Sequence, residues 1–348
     1  YFLLNVQRVG GGTRPQLLKT FYSRLELAFT HLEHEVKQGR IQSYGISSNT
    51  ITDSPELLPT LDLEKILEIA AKVGGENHHF QIVQCPLNLL EPDAALLPRN
   101  NGKTVLAVAQ AAKLAVLTNR PLNAILGGGL VRLAEPAEPA QSVDPAESIL
   151  KLTSIEKRLR QELNVEINTR GETIEVAYFF HWADEFNEIK HKFRNLVEWE
   201  DFLLGLINPR LNQSTGFLNQ NLQNEHAKVW QEIFPSYRQA IENVCQDMRL
   251  MAIERSHEET SMIRKVLDQH VPPQTALHQV ALQAALETPG VTSVLNGMRH
   301  PLYVEDALMA SKGGLGEAAL AIFESLAPTG RVFIRRNLND GDEVIEQS

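Results

Sequence analysis

Along residues 16–38 apolar side chains return at three- and four-residue steps, as Leu18, Phe21, Leu25, Ala28, Leu32 and Val36. That period puts them on one stripe, so the segment reads as an amphipathic helix with one core-facing side. His31 and His34 stand three apart among Glu33 and Glu35. Their spacing suits a solvated charged face and also permits metal ligation. Gly39 supplies the left-handed cap that ends the helix, and a short strand follows over residues 41–46. It runs straight into Ser47, Ser48 and Asn49.

The same pattern recurs twice. A helix over 63–73 stops at Gly74 and Gly75, and a strand over 80–85 closes at Pro86. A helix over 103–113 leads to a strand over 115–118, then to Asn119, Arg120, Pro121 and Leu122 and a glycine run, Gly127 to Gly129. Helix-then-strand repetition with polar residues at each strand exit predicts a parallel sheet, most simply a (β/α)₈ barrel. In that architecture the carboxyl ends of the strands form the active face. Ser47 to Asn49 keep two readings: ligand-facing tips, or a Ser/Asn-rich loop that caps the next element.

The alternation stops at Ala134, and residues 135–145 are rich in Pro, Ala and Glu, which marks a linker. Asp144, Pro145 and Glu147 form a helix-start signature, with Leu152, Ile155, Leu159 and Leu163 along one side. Beyond it the pattern predicts a strand over 172–180 after a turn at Gly171. A helix follows over 187–206, with Phe193, Leu196, Val197, Leu203 and Leu204 as its core side. A polar stretch over 208–221 then precedes a helix that breaks at Pro235. It resumes with Tyr237, Ile241, Val244, Met248 and Met251 at heptad-like spacing. The α/β pattern returns at Pro272, with a helix over 274–287 and a strand over 291–296 opening on Gly297, Met298 and Arg299. Further helices are expected over 302–311 and 317–326. The chain therefore divides into barrel portions at 1–133 and 272–330, a mostly helical insertion at 134–271, and a polar peripheral tail at 331–348.

Composition narrows the function classes. With 43% hydrophobic and 22% charged residues the chain has ample core material, and its net charge of -10 comes without a basic block, which argues against nucleic acid. Small molecules are the expected partners. The two cysteines, Cys85 and Cys245, are far apart and lack metal-type spacing, so a reducing, cytoplasmic setting is expected, with an organelle left open. No apolar run reaches the roughly 18 residues of a spanning helix, so no membrane is expected. Residues 1–6 are apolar and follow no Met, which suggests a strand already under way in a longer polypeptide. Gly10 to Gly12 with Pro15 read as a linker, because no phosphate-loop context surrounds them.

Four motifs in order carry a family resemblance: Gly39-Arg40-Ile41 with Gly45 through Asn49, Gln84-x-x-x-Asn88-Leu89-Leu90, Arg120-Pro121-Leu122 with Gly127-Gly128-Gly129, and Pro289 through Arg299. Together they resemble the second half of an aldo/keto reductase, from its fourth or fifth barrel strand through its eighth, over residues 16–133 and 272–328. The resemblance implies a (β/α)₈ TIM barrel of aldo/keto reductase type with the helical insertion after the seventh strand. It also implies an oxidoreductase that moves hydride between NADP(H) and a carbonyl substrate. By the same resemblance Ser47, Ser48 or Asn49 with Gln84 would hold the nicotinamide carboxamide, Arg120, Leu122 and Gly127 would run near the pyrophosphate, and Ser293, Gly297 and Arg299 would hold the adenosine 2′-phosphate. A guanidinium suits that phosphate, since its donor fork is planar and always charged. A surface ion pair with Glu305 or Asp306 is the competing role for Arg299.

Departures accompany the matches. Asn119 stands where the family stacks an aromatic ring on the nicotinamide, and Tyr303 and Ala307 replace a Gln and an Asn. The family's catalytic Tyr, Lys, Asp and His lie on or before the fourth strand. Either residues 1–5 are that strand, with Asn5 at the His position, or the His precedes Tyr1. The alternative from another class is a catalytically inactive barrel acting as a scaffold or regulatory subunit. In that reading residues 144–270 dock a protein partner rather than forming a lid over substrate.

Overall fold

In the computed structural model, which describes residues 12–54, 60–169, 172–316 and 318–342, the first long helix, α1, spans Arg14–Lys37. Pro15 lies in its first turn, where a missing N–H costs nothing, and Gly39 beyond its end takes a φ of +71°. Leu17, Phe29 and Glu33 are its buried residues, with Leu25, Leu32 and Val36 half-buried beside them. The stripe is thus rotated from the predicted one, leaving Ala28 exposed and Glu33 inside. Phe29 sets that rotation: its ring lies 5.3 Å from Phe80 and 5.0 Å from Tyr44.

Next come β1 (Tyr44–Ser47), α2 (Leu63–Gly74), β2 (Phe80–Pro86), α3 (Asp93–Leu96), α4 (Val105–Ala111) and β3 (Ala115–Asn119). Asp62 caps α2 and Thr104 caps α4, each accepting from backbone N–H groups of the first turn. An antiparallel hairpin follows, β4 (Asn123–Leu126) and β5 (Gly129–Arg132).

By contact density the chain forms two units, residues 1–134 with 262–348, and residues 135–261. The second unit contains α5 (Ala146–Glu162), the hairpin β6 (Glu166–Thr169) and β7 (Glu172–Glu175), α6 (Trp182–Ile189), α7 (Leu196–Phe202), α8 (Asn208–Asn221) and α9 (Asn224–Leu267), of which the turns from residue 262 belong to the first unit. Four expectations change here. Residues 176–179 form a 3₁₀ turn rather than a strand. The polar stretch at 208–221 is helical, held by Leu218 in the core, with Leu211 and Phe217 packed against it. And α9 runs unbroken through Pro235. The hydrogen bond that proline forfeits is outweighed by burial of Trp230, Ile233 and Tyr237 on one side of the helix. Leu204, expected in the core, is 67% exposed.

The first unit resumes with α10 (Leu277–Leu286), the two-residue β8 (Ser293–Val294), α11 (Pro301–Ala310) and α12 (Ala318–Asp342). The last helix continues past the expected tail boundary at 331, because Phe333 is fully buried in the same core as Phe323 and Leu326. Residues 1–5, the glycines at 10 and 11 and the turn at Gly171 lie outside the described residues.

The strands β1, β2, β3 and β8 form one parallel sheet in that order. Side chains alternate across it. One face carries Val83, Cys85, Val116 and Thr118, all 0% exposed. The other carries Ile82, Gln84, Ala115, Leu117 and Ser293, all half-exposed. Parallel sheets are ordinarily covered on both sides. Among the described residues this sheet has four strands, and its outer strands β1 and β8 do not pair with each other.

Candidate functional site

Because all four strands are parallel, their carboxyl ends share one edge. Ser47 pairs in register with Gln84, Gln84 with Leu117, and Leu117 with Ser293. Those four residues form a single lateral row on the half-exposed face. Backbone bonds tie the exits together: the Ser48 N–H donates to the Gln84 carbonyl at 3.0 Å, and the Leu295 N–H to the Thr118 carbonyl at 2.8 Å. Asn119 Nδ2 donates to Asn49 Oδ1 at 3.2 Å, joining two strand tips 70 residues apart. The fold therefore brings Ser47 to Asn49, Gln84, Asn119 and Ser293 to one rim.

Arg120 is held on the same rim in a strained pose. Its φ is +55°, a left-handed value that a residue with a Cβ adopts only under constraint. The constraint comes from Asn88, whose Nδ2 donates to the Arg120 carbonyl at 3.2 Å and to Glu91 Oε2 at 2.7 Å. Asn88 Oδ1 accepts from the Leu90 and Glu91 N–H groups, both at 3.0 Å. Glu91 in turn receives the Arg120 guanidinium at 2.7 Å and the Ile125 N–H at 3.0 Å. Burial pushes the Glu91 carboxyl up, while Arg120, Asn88 and the Ile125 N–H pull it back. The Arg120 charge is thus already paired.

A second buried cation lies on the loop between α3 and α4. Arg99 donates to the carbonyls of Ile51 and Thr52. Burial lowers its pKa, against Asp93 and Asp53, and burial likewise raises Asp53. Among the described residues, buried polar side-chain atoms without a protein partner concentrate here: Thr118 Oγ1, Asn119 Oδ1, Arg120 Nε, Asn123 Oδ1 and Arg99 Nε are five of eight. Unpaired buried polar atoms are costly and call for an explanation. Sequence reasoning missed Glu91, Arg99 and Asp53. Asn88 entered only as a motif position, and the Asn88-x-x-Glu91 spacing was the one available signal.

The remaining expected residues are placed less tightly. Gly127 and Gly128, with φ of +56° and +81°, are the two central residues of the β4–β5 turn, the conformation that favours glycine in a tight hairpin. The hairpin accounts for those glycines without a phosphate. Leu122 is half-buried against the core. Gly297 and Arg299 are exposed between β8 and α11. Among the described residues no ion pair holds Arg299; Asp306 lies 3.5 Å from His278 instead. Tyr303 is 47% exposed on α11.

Chemically, the hydroxyls and amides of this rim hold and orient a polar group but do not donate a proton readily at neutral pH. Among the described residues no set of three or more His, Cys, Asp or Glu is placed to hold a metal ion, and no helix is long and apolar enough to cross a membrane. No family model, curated protein or solved structure matches this chain.

Proposed function

We propose that this rim holds the nicotinamide end of NADP(H), and that the chain supplies the cofactor-positioning part of an aldo/keto-reductase-like oxidoreductase acting on a small carbonyl compound. The observation that carries the reading is the row Ser47, Gln84, Leu117 and Ser293 on one open face, at the last residue of β1 and within two residues of the carboxyl ends of β2, β3 and β8. A carboxamide needs donors and acceptors together, and Ser47, Gln84 and Ser293 offer both. Arg299, free of ion pairs among the described residues, is the phosphate-binding candidate. In this reading the four strands are the fifth to eighth of a (β/α)₈ barrel, and further strands cover the half-exposed face. Proton donation comes from a Tyr, Lys and Asp on those other strands. The cytoplasmic setting belongs to the same reading, supported by two free thiols.

NADPH titration of the full protein, followed by cofactor fluorescence, tests it. Binding in the micromolar range is expected, and Arg299→Ala should weaken NADPH by about 10- to 100-fold while leaving NADH unchanged, the loss of one charged phosphate contact. Absence of binding at about 1 mM cofactor would remove the reading, since that affinity corresponds to only about 4 kcal/mol.

The second reading is a non-catalytic barrel that works as an interaction subunit through residues 144–270. It is favoured by Asn119, an amide bonded to Asn49 where a stacking ring is required. NADPH binding without oxidation of bound cofactor by any of a panel of aldehydes and ketones would favour it.

A further inference from the structure

Inside the second unit, between α8 and the middle of α9, lies a cavity of about 370 Å³. Ligand sites run from roughly 300 to 1,000 Å³, so it accommodates a small molecule. Its floor is apolar, made by Leu211, Phe234, Tyr237 and Ile241. Tyr237 and Ile241 are 4% and 5% exposed, which makes that floor part of the unit's core. One wall begins at Leu203, the first residue of a π-helical turn, Leu203–Ile207. Such a turn widens a helix by one residue and occurs disproportionately at functional sites. Within the turn Leu204 and Leu206 are 67% and 40% exposed, so apolar side chains stand in water there.

The upper lining is polar but carries no net charge. Arg238 is paired with Glu242 at 2.9 Å, and Arg249 grips Glu138 through two contacts at 2.8 and 2.6 Å. What remains is neutral: Asn208, Asn212, Thr215 and Gln246, whose side chains make no hydrogen bond to another described residue. We propose that this cavity binds a neutral amphipathic small molecule, with its apolar body on Phe234, Tyr237 and Ile241. Its amide, carbonyl or hydroxyl head sits among the three carboxamides and Thr215. An ionic head would find each charge of the lining already engaged by a partner and so would meet no free counter-charge to offset its desolvation. The site is independent of the cofactor reading.

Cys245 lines the cavity and is half-buried, whereas Cys85 is fully buried, so alkylation by N-ethylmaleimide reports on the cavity alone. The experiment uses the full chain with Nile red as the fluorescent occupant and decanamide, decanoate and decyltrimethylammonium as competitors. Decanamide should displace Nile red at about tenfold lower concentration than either ion and slow alkylation of Cys245 by about fivefold. Thr215→Trp and Gln246→Trp, which fill the space from opposite helices, should each abolish both effects with the far-UV circular dichroism unchanged. Displacement by decanoate as effective as by decanamide would overturn the neutral-ligand assignment. Undiminished binding in either tryptophan variant that keeps its fold, or no protection of Cys245, would overturn the location.

Discussion

At the amino-terminal end of the parallel sheet the Glu33 carboxylate accepts from the Tyr44 hydroxyl at 3.0 Å, the His79 N–H at 2.8 Å and the His79 ring at 2.9 Å. At the carboxyl end Asn119, Asn123 and Arg120 each leave a buried polar atom without a protein partner. Both ends bury polar groups; at the first the Glu33 carboxylate satisfies Tyr44 and His79 and one described buried atom, His78 Nδ1, is left over, against one atom each on Asn119, Asn123 and Arg120 at the second. In parallel α/β folds the amino-terminal end serves stability and the carboxyl end serves ligands. Under the proposed function, stability and binding fall to opposite edges of one sheet, and each substitution below tests one edge against the other.

The largest effect is expected at Glu33. Glu33→Ala strands the Tyr44 hydroxyl and the His79 N–H beside an emptied, buried space, and should cost about 3 to 4 kcal/mol, read as a shift of the urea midpoint. A cost near zero would mean that the amino-terminal edge is no better satisfied than the other.

Asn88→Ala comes next. It removes five hydrogen bonds and leaves the Leu90 N–H unpaired, while the Glu91 N–H keeps only the Asn88 backbone carbonyl, for a loss of about 2 to 3 kcal/mol. It also frees Arg120 from its left-handed pose, so the variant should bind NADPH more weakly than its stability loss explains. Equal NADPH affinity in a folded variant would separate Asn88 from the rim.

A pH dependence sharpens the same edge. Burial raises Glu33, but the His79 N–H, the His79 ring and the Tyr44 hydroxyl together hold its pKa below the ordinary value. A depressed carboxyl contributes stability above its unfolded pKa, about 4.3, and loses it as pH falls through the lower folded value. The stability gap between the native protein and Glu33→Gln should therefore be widest near neutrality and shrink under acid. A gap that stays flat from neutral to acidic pH contradicts the assignment.

How far this organisation was legible in the sequence depends on how local each signal is. The helix and strand order of the first unit follows from glycine stops at Gly39 and Gly75 and from apolar runs such as Phe80–Pro86, and it appears at nearly the expected boundaries. Burial of Glu33 was illegible, because its partners Tyr44 and His79 are 11 and 46 residues away. Arg120 with Glu91 and Asn88 was hidden for the same reason. In the second unit the local rules pointed the wrong way at Pro235 and over Asn208–Asn221, where tertiary packing overrides propensity. Ser47 was legible as a strand exit, Gln84 and Ser293 stood out only through the family resemblance, and their common row needed the register.

The smallest stability effect belongs to Ser47→Ala, and that is what makes it informative. Ser47 is exposed and no described residue bonds its hydroxyl, so removing the oxygen should change stability by less than about 0.5 kcal/mol. Its register partner Gln84 and the row beyond it stay in place. If the carboxyl edge is the ligand edge, the same variant should lose about five- to tenfold in NADPH affinity, the value of one hydrogen bond to a neutral group. Calorimetric titration beside a urea melt measures both numbers on one sample. A variant that melts earlier yet binds cofactor unchanged would place Ser47 with Glu33 on the structural side, and the division between the two edges would fail at its most exposed residue.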